Sequence, residues 1–186
     1  MKSGNSYHLA GSAPPGQLPV RLEPESNAWV VKCSLIPIDP HAGPTRPEYA
    51  SEDCRNILKA YREYYPKVGY HKPWIGYFVK RADKIVGTCG FVSPPVANRV
   101  EIAYGTFGEF EGQGIATFAC GALISLARGT DPTLVITAKT APEENASTRI
   151  LKRHGFEYSG IVQDHEIGDA WEWVLCPGRP TGSTAS

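Results

Sequence analysis

The sequence lacks the features that mark membrane, secreted or nucleic-acid-binding proteins. No segment approaches the roughly 18 consecutive apolar residues of a membrane-spanning helix, and residues 1–16 contain no apolar stretch of the kind found in signal peptides. Lysine and arginine together number 19, as do aspartate and glutamate, so no net positive charge attracts nucleic acid or an anionic membrane. We therefore expect a cytoplasmic protein with neither nucleic acid nor a membrane among its partners.

Cysteine is scarce and scattered. The five cysteines, an odd number, include no C-x-x-C pair, which argues against a disulfide framework and against a zinc site. Three of them lie in segments with apolar periodicity, where a thiol serves as a small core side chain. We predict no bound metal.

The length of 186 residues and the 41% share of hydrophobic residues are enough for one domain with a sizeable core. Residues 1–26 are rich in glycine, proline and serine, and residues 177–186 are polar, so both ends are predicted to be flexible. The domain itself is predicted to span residues 27–176.

Apolar periodicity predicts the order strand, helix, hairpin, strand, helix, strand, helix, hairpin. The first strand, residues 28–38, is expected to stop at Pro37 or Pro40. Ser51 is the expected N-cap of the first helix, which Pro66 is expected to close. The two hairpins are predicted to pair residues 74–80 with 85–91 around 81–84, and residues 156–162 with 170–175 around Gly168 and Asp169.

The middle of the domain places a strand, a glycine-rich loop and a helix in direct succession. Residues 100–106 alternate between apolar and other side chains with the period of a strand. The loop holds Gly108, Gly112 and Gly114, and the apolar residues that follow have helical spacing. Unpaired N–H groups at the start of this helix, together with its dipole, predict an anion site that is best suited to phosphates.

Two further elements complete the predicted domain. A β-branched strand at residues 133–139 follows the helix, so it is expected to run parallel to residues 100–106. A last helix at residues 145–154 is expected to end with a left-handed Gly155, which would let Phe156 pack onto Leu151.

Three segments resemble the GCN5-related N-acetyltransferase superfamily, and within it the branch that includes ribosomal-protein alanine acetyltransferases. They are GYFVKRADKIVGTCGF, EIAYGTFGEFEGQGIAT and PEENASTRILKRHGF, found together in the order and spacing of that family. The resemblance implies a single mixed α/β domain whose central, mostly antiparallel sheet is splayed near its middle and flanked by helices. It also implies acetyl-coenzyme A as co-substrate.

The resemblance further implies which residues bind the coenzyme. The strand end is expected to hydrogen-bond the pantetheine arm, the glycine-rich loop to bind the pyrophosphate, and the start of the last helix to face the thiol. These residues are Tyr104, Gly105, Thr106, Phe107, Glu111, Gly112, Gln113, Gly114, Ile115, Ala116, Thr117, Asn145 and Ser147.

Two of these positions depart from the family pattern. Glu111 stands where a glutamine or arginine is expected, and a carboxylate ~5 Å from a phosphate costs roughly 1 kcal/mol in water and about 3 kcal/mol at a dielectric of 20. Either Glu111 points away or it weakens coenzyme binding. The family asparagine falls at Glu144, one place before Asn145, and the tyrosine that some members carry is replaced by Leu151.

Acetyl transfer to an amine requires the neutral amine, whereas an alkyl amine of pKa ~10 is almost wholly protonated at pH 7. Glu101 is the candidate general base, because it lies on the strand beside the expected coenzyme; otherwise it is a solvated strand glutamate. Ser147 is the candidate acid or thiol contact, and otherwise a serine of the first helical turn. Tyr104 is interpreted as core or cleft wall rather than as an acid.

The last hairpin carries a cluster of charged residues close to the expected acceptor entrance. Asp164, His165, Glu166 and Asp169 are candidates for attracting a cationic amine, although such a run is also typical of a solvated turn. His165 is the alternative base.

We therefore predict an acetyl-coenzyme A-dependent N-acetyltransferase that transfers the acetyl group directly to a primary amine. The acceptor is a protein N-terminus or a small molecule, and the protein is a monomer or homodimer. The alternatives are a non-catalytic acyl-coenzyme A-binding module and a dinucleotide-binding enzyme. Thr117 disfavours the latter, because it replaces the third glycine of the dinucleotide fingerprint.

Overall fold

The structure is a computed structural model that describes residues 33–41, 46–165 and 167–178. The predicted flexible segment 1–26, the first residues of the first predicted strand, Glu166 and most of the polar C-terminal segment lie outside this part. The α-helices and strands are β1 (Cys33–Pro37), α1 (Glu52–Val68), β2 (Gly76–Arg81), β3 (Lys84–Phe91), β4 (Arg99–Thr106), α2 (Ile115–Thr130), β5 (Val135–Thr140), α3 (Ala146–Arg153), β6 (Glu157–Asp164) and β7 (Gly168–Leu175). Single 3-10 turns occur at Pro47–Tyr49 and Gly108–Phe110. The predicted order of elements is confirmed.

The seven strands form one sheet in the order β1-β2-β3-β4-β5-β7-β6, in which β4 and β5 are the parallel neighbours. These two strands pair at only three positions, the last of which joins Glu101 to Thr137. Beyond that pair, β4 remains bonded to β3 and β5 to β7, so the sheet opens between them. The predicted mixed α/β domain with a mostly antiparallel, splayed sheet is confirmed.

Both hairpin turns differ from the prediction. In the first, Arg81 pairs with Lys84, and the turn consists of Ala82 and Asp83 alone. A two-residue turn is possible because Ala82 adopts the left-handed conformation, with φ of 51°. Polar character at residues 81 and 84 therefore marked solvent-facing strand ends rather than turn residues.

The second hairpin turns after Asp164, which pairs with Gly168, and not at the predicted Gly168 and Asp169. Those two residues pair with Asp164 and Gln163, as part of β7. Gly168 has a φ of 75°, and three-residue hairpin loops commonly close on such a left-handed residue. The glycine was therefore a correct sign of a hairpin but an incorrect guide to its register.

The first helix begins as predicted but ends later. The Ser51 hydroxyl accepts a hydrogen bond from the Cys54 amide at 3.2 Å, which confirms the N-cap. Pro66 lies inside α1, which continues to Val68, and the C-cap Gly69 has a φ of 85°. Proline removes only its own N–H from the ladder, and the Gly69 amide still bonds the Tyr65 carbonyl at 2.8 Å.

The end of α3 matches its prediction. Gly155 is left-handed with a φ of 84°, and the Phe156 amide donates to the Leu151 carbonyl at 3.1 Å. Both side chains are buried. The helix therefore ends in the Schellman arrangement, which fixes its direction relative to β6.

Helices cover both faces of the sheet. The 3-10 turn at Pro47–Tyr49 and α1 enclose one hydrophobic cluster with Phe78 of β2, while α2 and α3 enclose the larger cluster with β3, β4 and β5. Cys54, Cys89 and Cys120 are buried in these clusters, as expected for three of the cysteines, and all five thiols are free.

Candidate active site

A cavity of about 580 Å³ opens where β4 leaves β5, and we call it the α2–α3 cavity. It lies between the end of β4, the loop before α2, and the first turns of α2 and α3. Its walls are Tyr104, Gly105, Thr106, Glu111, Gly112, Gly114, Ile115, Ala116, Thr117, Ala146, Ser147, Arg149, Ile150 and Arg153. Most of the predicted coenzyme residues therefore come together around one space.

The glycine-rich loop turns so that the start of α2 faces this cavity. Gly112 and Gly114 have φ of 72° and 80°, which glycine adopts without strain, and Gly114 is the N-cap of α2. The Phe118 amide donates to the Gly114 carbonyl at 3.0 Å, which is the first hydrogen bond within the helix. The amides of the three residues before Phe118 therefore have no carbonyl partner within the helix. This arrangement can bind an anion.

Gln113 is held away from the cavity. Its side-chain oxygen accepts from Arg81 Nη1 at 2.7 Å, and its nitrogen donates to the Glu109 carbonyl at 3.2 Å. The Arg81 guanidinium also lies 5.4 Å from the centre of the Phe110 ring. Gln113 therefore fixes the loop against the β2–β3 hairpin instead of lining the cavity.

The charge of the α2–α3 cavity does not come from the loop alone. Glu111 lies in its lining, and so do Arg149 and Arg153 of α3. One carboxylate and two guanidinium groups leave this lining with a positive balance. Sequence reasoning missed the two arginines, although their spacing of four residues places them on one face of α3.

The backbone of β4 contributes an unpaired edge. On one side, Gly105 is paired with Thr88 of β3. On the other side, among the described strands, pairing with β5 ends at Glu101. The edge of residues 102–106 is therefore open to an extended ligand that bonds as an added strand would.

Asn145 and Ser147 have different roles at the start of α3. The Asn145 side chain accepts from the Thr148 amide at 3.1 Å, while Thr148 Oγ1 accepts from the Asn145 amide at 3.0 Å. This capping box occupies Asn145 in starting the helix. Ser147 lies in the cavity lining, and Asn145 and Phe107 do not.

Tyr104 connects β4 with the first turn of α3 in the cavity lining. Its hydroxyl is 3.4 Å from the Ser147 carbonyl oxygen and is also hydrogen-bonded with the Cys120 thiol, and burial raises the pKa of its phenol well above the usual value. Burial also raises the pKa of the neighbouring Cys120 thiol to about 12. Both groups are therefore neutral at physiological pH.

A second cavity of about 520 Å³ lies by α1, and we call it the α1 cavity. Apolar and aromatic side chains form most of it, while charged side chains gather at one end. Its walls are Ala60, Tyr61, Tyr64, Thr88, Cys89, Gly90, Phe91, Val92, Glu101, Ala103, Tyr104, Lys139, Asp164, His165 and Ile167. Tyr104 thus borders both cavities, at the point where β4 and β5 separate.

The charged end of the α1 cavity is a three-membered ion cluster. Lys139 Nζ lies 3.2 Å from Glu101 Oε2 and 3.2 Å from Asp164 Oδ2. Burial alone would lower the pKa of Lys139, but the hydrogen bonds and charges of the two carboxylates outweigh it and raise that pKa. Lys139 therefore stays protonated, and the cluster carries one net negative charge.

The predicted acidic hairpin cluster is only partly assembled at this site. Asp164 and His165 line the α1 cavity, whereas Asp169 is exposed outside it and hydrogen-bonded to Gln163.

Among the residues that the structure describes, no group of three His, Cys, Asp or Glu side chains is placed to hold a metal ion. None of the described helices is long and apolar enough to cross a membrane.

Comparison with known sequences gives a family match over most of the chain. Residues 26–157 match the model of the acetyltransferase (GNAT) domain. The uncharacterized N-acetyltransferase p20 of Bacillus licheniformis is 34% identical over 89 residues, which cover 47% of this chain and 50% of that protein. The chain thus spans about half the length of the curated relative it matches.

Comparison with solved structures shows the same fold at low sequence identity. An apo crystal form of RimL, a ribosomal L7/L12 alpha-N-protein acetyltransferase, is 16% identical with a TM-score of 0.59, covering 78% of this chain and 93% of that chain. The ribosomal-protein-S5-alanine acetyltransferase of Vibrio fischeri is 16% identical with a TM-score of 0.55, and the match covers 80% of this chain and 94% of that chain. A RimL complex with coenzyme A is 18% identical with a TM-score of 0.54, and the match covers 72% of this chain and 77% of that chain.

The family match confirms the superfamily that the three sequence segments predicted, and the fold agrees with the branch to which they pointed. The glycine-rich loop, the opening between β4 and β5 and the α3 N-terminus all lie within the matched residues. The chain belongs to the acetyltransferase (GNAT) domain family.

Proposed function

We propose that the protein is an acetyl-coenzyme A-dependent N-acetyltransferase that transfers the acetyl group directly to a primary amine. One observation carries this proposal: a cavity with a positive balance at the start of α2 and an apolar cavity with an acidic end meet at Tyr104, where β4 and β5 part. Direct transfer requires two substrates to reach one point from separate spaces. Family membership supports acetyl-coenzyme A as the donor.

The α2–α3 cavity suits the pyrophosphate, the pantetheine arm and the thiol end of coenzyme A. The amides at the start of α2 would bind the pyrophosphate, and Arg149 and Arg153 would offset the charge of Glu111 there. The open edge of β4 would bond the pantetheine amides. The thiol end would then reach Tyr104 and Ser147 at the border of the two cavities.

The reaction needs a base on the acceptor side and a hydrogen-bond donor on the donor side. Glu101 is the proposed base, because it takes a proton from the ammonium and so offsets a handicap on the order of 4 kcal/mol at pH 7. The amine nitrogen then attacks the acetyl carbonyl carbon, and backbone amides near Tyr104 and Gly105 stabilise the oxyanion. The carbon–sulfur bond breaks, and the nitrogen loses its second proton to solvent, which gives the neutral amide. Ser147 donates a proton to the thiolate and regains one from solvent, and Glu101 releases its proton to solvent.

The α1 cavity favours an acceptor with one positive charge on an apolar or aromatic body. Tyr61, Tyr64 and Phe91 offer aromatic surface, while Glu101 and Asp164 together with Lys139 leave a single negative charge. Because Lys139 is already paired with two carboxylates, it has little capacity to bind an acidic acceptor. Both a small aromatic amine and a protein N-terminus with an apolar first residue meet this description.

The decisive experiment is a thiol-release assay with acetyl-coenzyme A over an amine panel. The panel should contain phenethylamine, phenylalanine, spermidine and short peptides with free N-termini. We expect phenethylamine and apolar-start peptides to exceed phenylalanine, which adds a carboxylate to the same body. Glu101→Gln should remove most of the activity at pH 7, and full activity of that variant would exclude Glu101 as the base.

The alternative is a non-catalytic acyl-coenzyme A-binding module. It is favoured by the commitment of Asn145 to the helix cap and by the presence of Glu111 in the cavity lining. If calorimetry shows that coenzyme A binds but no amine gives thiol release, the binding module is supported. Absence of coenzyme A binding at millimolar concentration would exclude both the N-acetyltransferase and the binding module.

A cytoplasmic location and a monomeric or homodimeric state stay predictions, and sedimentation analysis tests the oligomeric state.

A further inference from the structure

Lys139 occupies the position at which the two halves of the sheet part. The parallel pairing of β4 and β5 ends with Glu101 and Thr137, and Lys139 follows two residues later on β5. Side chains two residues apart on a strand share a face, so Lys139 projects on the same side as Thr137 and Glu101. It therefore reaches Glu101 across the opening rather than along a paired ladder.

Lys139 is itself held by a fixed partner. Asp164 Oδ1 accepts from the Ile167 amide at 3.3 Å within the β6–β7 turn, which leaves Oδ2 for Lys139 Nζ at 3.2 Å. The Asp164 side chain is only 14% exposed, so solvent screens this ion pair less than one at the surface. The cation is thus tied to the hairpin backbone through one carboxylate.

Glu101 receives its support from this cation. Its Oε2 lies 3.2 Å from Lys139 Nζ, and both side chains are 26% exposed. The next residue on the same face of β4 is Ala103, whose methyl group cannot hydrogen-bond a carboxylate. A glutamate rotates about three side-chain bonds, so the ion pair decides where its oxygens lie.

We propose that Lys139 is a positioning residue that holds the Glu101 carboxylate at the border of the two cavities. This inference rests on the proposed function, because it assigns a purpose to the ion cluster beside the proposed base. The hairpin turn fixes Asp164, Asp164 fixes Lys139, and Lys139 fixes the base. Lys139 makes no contact with the reacting atoms and acts through Glu101.

The test compares Lys139→Met with Lys139→Arg, with Lys67→Met on the exposed end of α1 as the matched control. We expect Lys139→Met to lower kcat about tenfold or more, a part of the 10²–10⁴-fold that general-base catalysis contributes. The KM for acetyl-coenzyme A should change little, because the coenzyme lies in the other cavity. Lys139→Arg should restore most of kcat, and Lys67→Met should match the wild type.

A double-mutant cycle separates positioning from a purely structural role. If Lys139 acts through Glu101, Lys139→Met should lower kcat little further in a Glu101→Gln background. Equal, additive losses in both backgrounds would overturn the proposal. Asp164→Asn keeps the oxygen that bonds the Ile167 amide but removes the charge that holds Lys139, so it should lower kcat in the same direction and by less.

A readout independent of turnover keeps this inference distinct from the proposed function. In a crystal structure of Lys139→Met, the Glu101 carboxylate should leave its wild-type position or occupy several rotamers. An unmoved carboxylate would overturn the role of Lys139 whatever the activity of the enzyme. Absence of thiol release by the wild-type protein with every amine would instead refute the proposed function.

Discussion

The hydroxyl of Tyr104 lies 3.4 Å from the backbone carbonyl oxygen of Ser147, so β4 and the first turn of α3 meet in the lining of the α2–α3 cavity. Burial raises the pKa of this phenol, which keeps it protonated and makes it a poor proton donor in acid catalysis. Its position sets the distance between the two elements that would flank the coenzyme thiol. We therefore assign Tyr104 to the wall of the site and the donor role to Ser147.

We expect Tyr104→Phe to lower the free energy of unfolding by about 1 kcal/mol, because it removes the hydroxyl that bonds the Ser147 carbonyl and the Cys120 thiol. Tyr104→Phe should lower kcat by less than about tenfold, because Tyr104 is a wall residue. Ser147→Ala should lower kcat by about tenfold or more, because Ser147 is the proposed proton donor. Urea denaturation and steady-state kinetics measure the two effects. A loss of about a hundredfold in kcat for Tyr104→Phe, with unchanged KM, would identify the phenol as the acid.

The charge of Glu111 is expected to weaken coenzyme binding. Glu111→Gln removes a carboxylate from the cavity lining, and the affinity for coenzyme A should rise about fivefold, equivalent to about 1 kcal/mol at low salt. Calorimetry at two salt concentrations measures this change, which should shrink at high salt. Glu109→Gln is the matched control, because that exposed carboxylate lies in the same loop but outside the lining. Equal effects of the two substitutions would contradict a local role for Glu111.

The left-handed N-cap of α2 is expected to resist substitution. Gly114 has a φ of 80°, and a side chain there costs about 1–2 kcal/mol, so Gly114→Ala should shift the loop and weaken coenzyme binding. Gly129→Ala offers a control in the same helix, where a Cβ would meet open space. That control should raise the free energy of unfolding by about 0.5–1 kcal/mol without changing coenzyme affinity. Unchanged affinity in Gly114→Ala would show that the loop conformation does not matter.

Two buried thiols are expected to make the protein sensitive to alkali. Burial raises the pKa of both Cys89 and Cys120 from 9.0 to about 12. Below pH 9 both the folded and unfolded chains keep these protons, so the stability is fully present. Between pH 9 and 12 the unfolded chain loses them first, and each thiol lowers the free energy of unfolding by up to about 1.4 kcal/mol per pH unit.

Urea denaturation from pH 8 to pH 10.5 tests this sensitivity. Cys120→Ala should reduce the loss of stability over this range. Cys176→Ala, which replaces an exposed thiol, should leave the loss as in the wild type. A wild-type denaturation midpoint that does not fall above pH 9 would contradict the burial of the two thiols.

The sequence predicted most of the elements because their signals are local. The alternation of residues 100–106, the Ser51 cap and the Gly155 end each depend on a few neighbouring residues. Pro66 gave a misleading signal, because a single missing N–H near the end of a helix costs too little to stop it. The two hairpin registers could not be predicted, since a shift of one or two residues depends on which cross-strand pairs form.

The site was predictable only where it is continuous in sequence. The loop from Glu111 to Thr117 is such a segment, and the structure places most of it around one cavity. The partnership of Glu101 with Lys139 and Asp164 joins three separate strands, and it depends on the opening of the sheet between β4 and β5. The wall of the α1 cavity likewise combines distant segments, so no local pattern predicted it.

The separation of the two cavities has a consequence for changing the enzyme. Among the described residues, α1 contributes side chains to the α1 cavity, whereas α2 and α3 contribute to the other. Tyr61 and Tyr64 can therefore be varied to seek new acceptors without changing the residues that would bind the coenzyme. A library of variants confined to α1 would change acceptor preference while the proposed catalytic residues stay the same. Tyr104 should be left unchanged in such a library, because it lines both cavities.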